Sequence, residues 1–306
     1  KPNFIKSDKL LGWKLKDNFN FTYKRQNSIG EEYSVNFSTD EIGMRRFYTG
    51  NVNEKKLNIL VIGDSFTSDP NASNDQMWYS HIAKSIKKNY KIDVNVFAIG
   101  AGGYGSLQQL LLLREIKKRF EFEKIDLVIF QFCNNDIHNN YLSIEKKEYN
   151  VNQYARRPFY DIENYKIYYD NSFSSIILRT PFIGESRILN KIFFILNKIR
   201  TKDINLSDQI FSDSIKITKK IISEISKEFN SKKVLMVNFS VEDYWPYNQI
   251  PIIAKKNNFS YIKYPADILK NKKYFLDDGS HLSDVGNKIY GEFIFEKMIS
   301  EIKMQF

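Results

Sequence analysis

The chain has 306 residues, 42% apolar and 27% charged, which suits one large domain, or one domain with a small appendage, around a real core. No run approaches the ~18 uninterrupted apolar residues of a membrane span, so nothing here reads as a transmembrane segment. Lys and Arg outnumber Asp and Glu by 46 to 36, a net charge of +10, but the cations are spread among Asn and Ile, no zinc-finger, helix-turn-helix or RNP signature is present, and nucleic acid is not an expected partner.

In chain order, Lys1 stands first without a Met, which points to an upstream signal peptide, anchor helix or artificial boundary and makes an exported or cell-envelope location the expectation, a cytoplasmic one staying open. Residues 1–53 carry short aromatic runs, Phe19–Tyr23 and Tyr33–Phe37, broken by Asn, Gly and Asp; they read as a small β-rich extension. A catalytic domain is expected over 54–306. Its apolar runs Leu57–Ile62, Val94–Ile99, Asp126–Phe132, Lys233–Phe239 and Tyr261–Tyr264 look like parallel strands covered on both faces, the last read partly from its place in the series. Helical periodicity falls between and after them, at Met77–Lys88, Leu107–Phe120, Ser212–Phe229 and Val285–Ile302. Alternating strands and helices predict a three-layer α/β/α sandwich with a five-stranded parallel sheet, flavodoxin-like in outline, whose sites lie at the carboxyl ends of the strands. A long insertion, 137–205, interrupts this scheme. It holds a Tyr-rich segment, Tyr154–Tyr169, and a helix, Ile188–Ile199, with Arg187, Lys191, Lys198 and Arg200 on or beside its polar side. That helix is expected to pack on the domain, with contact to a membrane surface as the alternative.

The strand ends carry the chemistry. The first runs into Gly63-Asp64-Ser65, which puts a hydroxyl at the sheet's carboxyl edge, though a Ser nucleophile needs a neighbouring base. The second runs into Gly100-Ala101-Gly102-Gly103-Tyr104-Gly105, where backbone N–H groups are open to a ligand; a phosphate cradle is the rival reading, but no Lys follows. The third ends in Cys133-Asn134-Asn135-Asp136, whose side-chain amides are potential donors to an oxyanion. Cys133, the only cysteine, reads as a small apolar filler and excludes an internal disulfide. Late in the chain, Asp278 and His281 stand three apart in Asp277-Asp278-Gly279-Ser280-His281, a spacing that lets the carboxylate hold one ring nitrogen and leave the other for Ser65. His81, His138 and His281 are too widely spaced for a metal cluster, so neither metal nor cofactor is expected; His138, close after the third block, is a candidate to line the pocket.

These four blocks, in this order, resemble the SGNH/GDSL hydrolase superfamily, over roughly residues 57 to 300. The resemblance implies a serine esterase or acyltransferase: Ser65 the nucleophile, His281 the base, Asp278 its orienter, and an oxyanion hole made of the Ser65 and Gly103 N–H groups and the Asn135 side chain. Gly102 competes with Gly103; Gly103 is preferred because Gly-Tyr-Gly-x-x-Gln, residues 103–108, matches a family variant. Asp64 and Asp136 are assigned bracing roles. Cys133 departs from the pattern, standing two positions before Asn135 where the family usually has Gly. The expected substrate is a short, chiefly acetyl, ester on a carbohydrate, the aromatic faces of Tyr154–Tyr169 packing the sugar and the basic helix favouring an envelope polysaccharide and peripheral contact with the envelope or membrane. The alternatives are a non-catalytic glycan-binding module, a lipase-like enzyme with the 188–199 helix as interfacial lid, and a flavodoxin-like nucleotide binder, which the missing phosphate-binding Lys disfavours.

Overall fold

The computed structural model describes residues 3–50, 56–148, 155–161, 163–164, 166–180, 186–201, 206–230, 232–240, 242–279 and 281–303. Lys1, Tyr154 and Ser280, named above, and the bounding positions 53 and 205 lie outside the described residues. In chain order come β1 (Ile5–Asp8), β2 (Gly12–Leu15), β3 (Asn20–Gln26), β4 (Glu32–Ser38), β5 (Arg45–Tyr48), β6 (Lys56–Gly63), α1 (Ser65–Ser68), α2 (Trp78–Tyr90), β7 (Asp93–Gly100), α3 (Ser106–Lys117), β8 (Leu127–Phe132), α4 (Asn135–Asn139), α5 (Leu142–Glu148), β9 (Phe159–Asp161), β10 (Lys166–Tyr168), α6 (Phe173–Arg179), α7 (Arg187–Arg200), α8 (Asp208–Phe229), β11 (Lys233–Asn238), α9 (Ile250–Lys256), β12 (Ser260–Lys263) and α10 (Asp284–Ser300).

Period-two alternation along the central strands decides the layering. In β6, Leu60 and Ile62 face α3, α8 and α9, while Ile59 and Val61 face α2 and α10. Neighbouring β8 does the same with Val128 and Phe130 on one side and Leu127 and Ile129 on the other. Each outer helix turns its apolar stripe inward: Ile215, Ile222 and Ile225 of α8, Ile82 and Ile86 of α2, Tyr290 and Ile294 of α10. Ser283 starts α10 by accepting the Gly286 N–H at 3.1 Å, a cap worth about 1 kcal/mol. Strand order is β12-β11-β8-β6-β7-β5. The first five are parallel, and β5 runs antiparallel along β7.

The sheet therefore has six strands where the sequence predicts five, and the sixth comes from the segment assigned to the extension. Arg45–Tyr48 is short and opens with two arginines, so no apolar run marks it. What holds it is remote: the buried Arg45 guanidinium donates to the carbonyls of Asp69 (2.5 Å) and Ala72 (2.6 Å) and to Asn74 Oδ1 (2.9 Å), 4.8 Å from the Phe37 ring. The rest of the extension forms two hairpins, β1–β2 and β3–β4. Leu11 and Trp13 of the first join the core beside Tyr104 and Leu107. In the insertion, β9 and β10 pair as a hairpin and Ala155, Phe159 and Leu178 make a small separate cluster. Helix α7 touches this part through Phe193 and through Asn197, which donates to the Lys146 carbonyl at 3.0 Å. Its Ile188, Ile192, Ile195 and Ile199 are 46–73% exposed, so the packing expected of it covers one side alone.

At the carboxyl edge, Gly63 of β6 stands opposite Gly100 of β7. A Cβ on Gly63 would sit 2.1 Å from Gln131 Oε1 and 2.3 Å from Thr67 Oγ1. Gly63→Ala should therefore cost about 1–3 kcal/mol in urea denaturation, as overpacking of a tight interior does. A midpoint equal to that of the parent would show that Gln131 moves aside freely.

Candidate active site

Gly63 brings the chain to the sheet edge, and Asp64 turns it. The buried Asp64 carboxylate accepts the Phe66 N–H at 3.0 Å and caps α1, whose first residue is Ser65. From β8, Gln131 Oε1 accepts both the Asp64 N–H (2.9 Å) and the Thr67 hydroxyl (3.0 Å), locking the turn from beneath. Gln131 escapes the sequence reading, although a lone polar residue in the apolar run Leu127–Phe132 was a usable signal.

Gly102 faces this turn: a Cβ placed there would lie 4.0 Å from that of Ser65. Neither the Ser65 nor the Gly103 N–H donates to another group among the described residues. Gly103 has φ +75°, a conformation that favours glycine. At the end of β8, Asn135 opens α4 and gives one amide hydrogen to Asn139 Oδ1 at 2.8 Å and the other to Asp64 Oδ2 at a long 3.4 Å. Asp136 is fully buried and accepts from the Cys133 N–H (2.9 Å), Ser106 Oγ (3.0 Å) and Gln109 Nε2 (3.0 Å), binding the third block to the start of α3. Burial, and then the neighbouring Asp64 charge, push the Asp136 carboxyl well above the ordinary range. Cys133 fills its place without opening the turn, its Sγ 3.6 Å from Ser240 Oγ, and burial raises its thiol far from a reactive thiolate.

The imidazole comes from the loop before α10. An antiparallel bridge, Phe275 to Leu282, closes this loop, and Gly279 turns it at φ +69°. The Asp278 carboxylate uses both oxygens on one residue: Oδ2 lies 2.7 Å from His281 Nδ1 and Oδ1 accepts the His281 N–H at 2.9 Å. The Phe66 ring, 5.3 Å from the imidazole, buttresses it. Burial alone would lower the His281 pKa. The Asp278 hydrogen bond and the charges of Asp69, Asp278 and Asp64 outweigh burial and hold it above its usual value of 6.5, the value the sequence alone suggests.

Ser65, Gly102, Gly103, Asn135, Asp278 and His281 all line one open cavity of about 940 Å³. Aromatic walls come from Phe4, Phe66, Phe239, Tyr247 and Tyr264, and polar ones from Asn71, Asn134, Asn139, Ser240 and Glu242. His138 lies on the wall with Nε2 2.9 Å from the Tyr247 hydroxyl. The described tyrosines of the Tyr-rich segment are elsewhere: Tyr160 and Tyr168 line a second cavity with Tyr141, and Tyr169 donates to the Leu10 carbonyl at 2.8 Å. For these three rings the sequence expectation that the segment flanks the Ser65 site is corrected. The insertion meets the site instead through Arg157, which sequence reasoning passes over. Its buried guanidinium pairs with Glu145 (2.6 Å) and donates to Gln108 Oε1 (2.6 Å) and the Gly103 carbonyl (2.6 Å). Among the described residues no three His, Cys, Asp or Glu side chains gather as a metal site.

Followed by NMR, His281 should titrate above about 6.5, and Asp278→Asn should move it down, because the Asp278 hydrogen bond is the strongest influence raising it. The raised value also means that this pair stabilises the fold fully below the unfolded pKa and loses that contribution as pH rises through the folded one. A midpoint at or below 6.5 in the parent, or one unmoved by Asp278→Asn, would contradict the pairing.

A family model described as GDSL-like Lipase/Acylhydrolase matches residues 59–294. A search of curated proteins finds none that matches. Among solved structures, the fold is similar to the psychrotrophic esterase EstA from Pseudoalteromonas sp., at 9% identity over 81% of this chain and 99% of that one, TM-score 0.46. It is similar to a lipase/acylhydrolase from Enterococcus faecalis at 14% identity, over 79% of this chain and 95% of that one, TM-score 0.44. A family 3 carbohydrate esterase from Clostridium thermocellum aligns at 14% identity over 81% of this chain and 98% of that one, TM-score 0.41. With a match that runs from the first parallel strand into the last helix, the chain belongs to the GDSL-like lipase/acylhydrolase family, enzymes that act on ester bonds.

Proposed function

We propose that the enzyme removes or transfers short acyl groups, chiefly acetyl, from carbohydrate hydroxyls through an acyl-enzyme on Ser65. The observation that carries this reading is the convergence of a strand-end serine, two backbone N–H groups that are unpaired among the described residues, a side-chain amide and a carboxylate-held imidazole on one cavity. Ser65 Oγ attacks the ester carbonyl carbon while His281 Nε2 takes its proton, and Asp278 steadies the imidazolium through Nδ1. The carbonyl electrons move onto oxygen. That oxyanion is met by the Ser65 and Gly103 N–H groups and by Asn135 Nδ2, which exchanges its stretched contact with Asp64 for the new charge. Collapse breaks the ester C–O bond, and the departing sugar oxygen takes the proton from His281. Water, or a second hydroxyl, then repeats the sequence and frees Ser65.

Ser65→Ala should abolish both turnover of an aryl acetate and labelling by a fluorophosphonate, with the fold intact. Asn135→Ala should lower kcat by on the order of 10²–10³, roughly 3–4 kcal/mol, and leave KM nearly unchanged, because the donor matters once charge develops. Full turnover in Ser65→Ala would end the acyl-enzyme scheme.

The mixed aromatic and polar wall supports the sugar reading, since rings pack the C–H side of a pyranose while Asn, Ser and Glu meet its hydroxyls. A lipase-like reading draws on a different observation, the exposed apolar row Ile188, Ile192, Ile195 and Ile199 along α7. Acyl-chain profiling separates the two. The carbohydrate reading expects aryl acetate to be cleaved much faster than octanoate, with no activation by liposomes. A preference for octanoate, or a jump in rate at a lipid surface, would overturn it.

A further inference from the structure

We infer that Trp13, from the first hairpin of the N-terminal extension, is a positioning residue that aims the Gly103 N–H into the oxyanion hole. The inference rests on the reading of Gly103 given above and extends it to a residue outside the part of the chain that matches the family.

The argument turns on one peptide plane. The Gly103 N–H and the Gly102 carbonyl belong to the same peptide unit, and in a trans peptide the two point in opposite directions. Trp13 Nε1 donates to the Gly102 oxygen at 2.9 Å. The indole is 8% exposed and lies outside the cavity lining, whereas Gly102 and Gly103 lie on that lining. Drawing the carbonyl toward the indole therefore turns the N–H the other way, away from the indole and to the side of the cavity that Ser65 also lines. Glycines on both sides of this unit give it little resistance to rotation, so an external hydrogen bond has to set its orientation.

The indole is itself held by two groups, and the Trp13 backbone by a third contact. Its ring meets the Tyr104 ring edge-on at 5.8 Å, and the Arg157 guanidinium lies over it at 5.3 Å. The Tyr104 hydroxyl donates to the Trp13 carbonyl. The same Arg157 donates to the Gly103 carbonyl at 2.6 Å and so fixes the next peptide unit. Two consecutive planes of the glycine loop are thus gripped by two side chains that stack on each other, one from the extension and one from the insertion.

The test is Trp13→Phe, which keeps an aromatic ring and removes the donor. A second variant carries β-(3-benzothienyl)alanine at position 13, which keeps the bicyclic shape and replaces N–H by sulfur; it decides the matter if the phenylalanine variant does not fold. In both, kcat for an aryl acetate should fall about ten-fold, less than the 10²–10³ lost with a whole oxyanion donor. KM should stay within about two-fold and the pH–rate midpoint should not move, because substrate binding and His281 are untouched. An unchanged kcat in a folded variant, or a loss carried by KM, would overturn the inference and leave Trp13 a packing residue. Ser65→Ala, run in parallel, keeps the two levels apart. If it is dead while the Trp13 variants are normal, the positioning role alone fails; if it retains full turnover, the catalytic reading fails and the positioning role with it.

Discussion

The site depends on the buried ion pair between Arg157 and Glu145, 1% and 0% exposed. Taking two charges out of water costs several kcal/mol each, so the pair persists because its surroundings satisfy it, and losing one partner would strand the other. Here the guanidinium also reaches Gln108 and the Gly103 carbonyl and lies over Trp13, while Glu145 accepts from Asn139 at 2.8 Å. Following the contacts outward leads from Asn139 to Asn135 and on to Asp64, and from Gln108 to the Leu11 carbonyl at 2.7 Å. One network therefore joins the Asp64–Ser65 turn, the amide block, the glycine loop, the insertion and the first hairpin. A hydrogen-bonded chain of this kind in a low-dielectric interior tolerates few geometries, which is what a preorganised oxyanion site requires.

The acidic residues beneath the site divide into two kinds. Asp278 is accessible, bonded to His281 through both oxygens, and works by charge. Asp64 and Asp136 are fully buried, and burial raises the pKa of each. They serve as acceptors that fix backbone and side-chain donors at the ends of β6 and β8. Asp64 does both, since its charge also reaches His281. The surroundings of each carboxylate, rather than the residue type, separate an accessible charge beside the imidazole from buried bracing acceptors.

Much of the core was readable because it obeys short-range rules. Five of the strands, four of the helices between and after them and the four blocks at strand ends and the late loop follow from apolar periodicity and from the habit of parallel sheets to place sites at their carboxyl edge, whereas the short helix α9 between the last two strands was not read. Gln131 and α9 apart, what escaped did so because its partners are remote. Arg45 of the sixth strand finds its acceptors 24 to 29 residues further along, Arg157 meets Gly103 54 residues back, and Trp13 meets Gly102 across 89. Periodicity carries no information over such separations, and a buried arginine looks like a surface arginine until the fold closes around it.

The sequence by itself determined the sandwich, the family and the candidate residues Ser65, Gly103, Asn135, Asp278 and His281, because each sits in a local pattern whose chemistry depends on neighbours a few positions away. Tertiary structure alone decided which way the glycine loop points, that Cys133 can stand where a glycine is usual, that Tyr160, Tyr168 and Tyr169 of the insertion lie away from the cavity, and that the extension and insertion share in building the site. Those outcomes depend on which distant groups meet in space. Hydrogen bonds and ion pairs act over about 3 Å, whatever length of chain separates their ends.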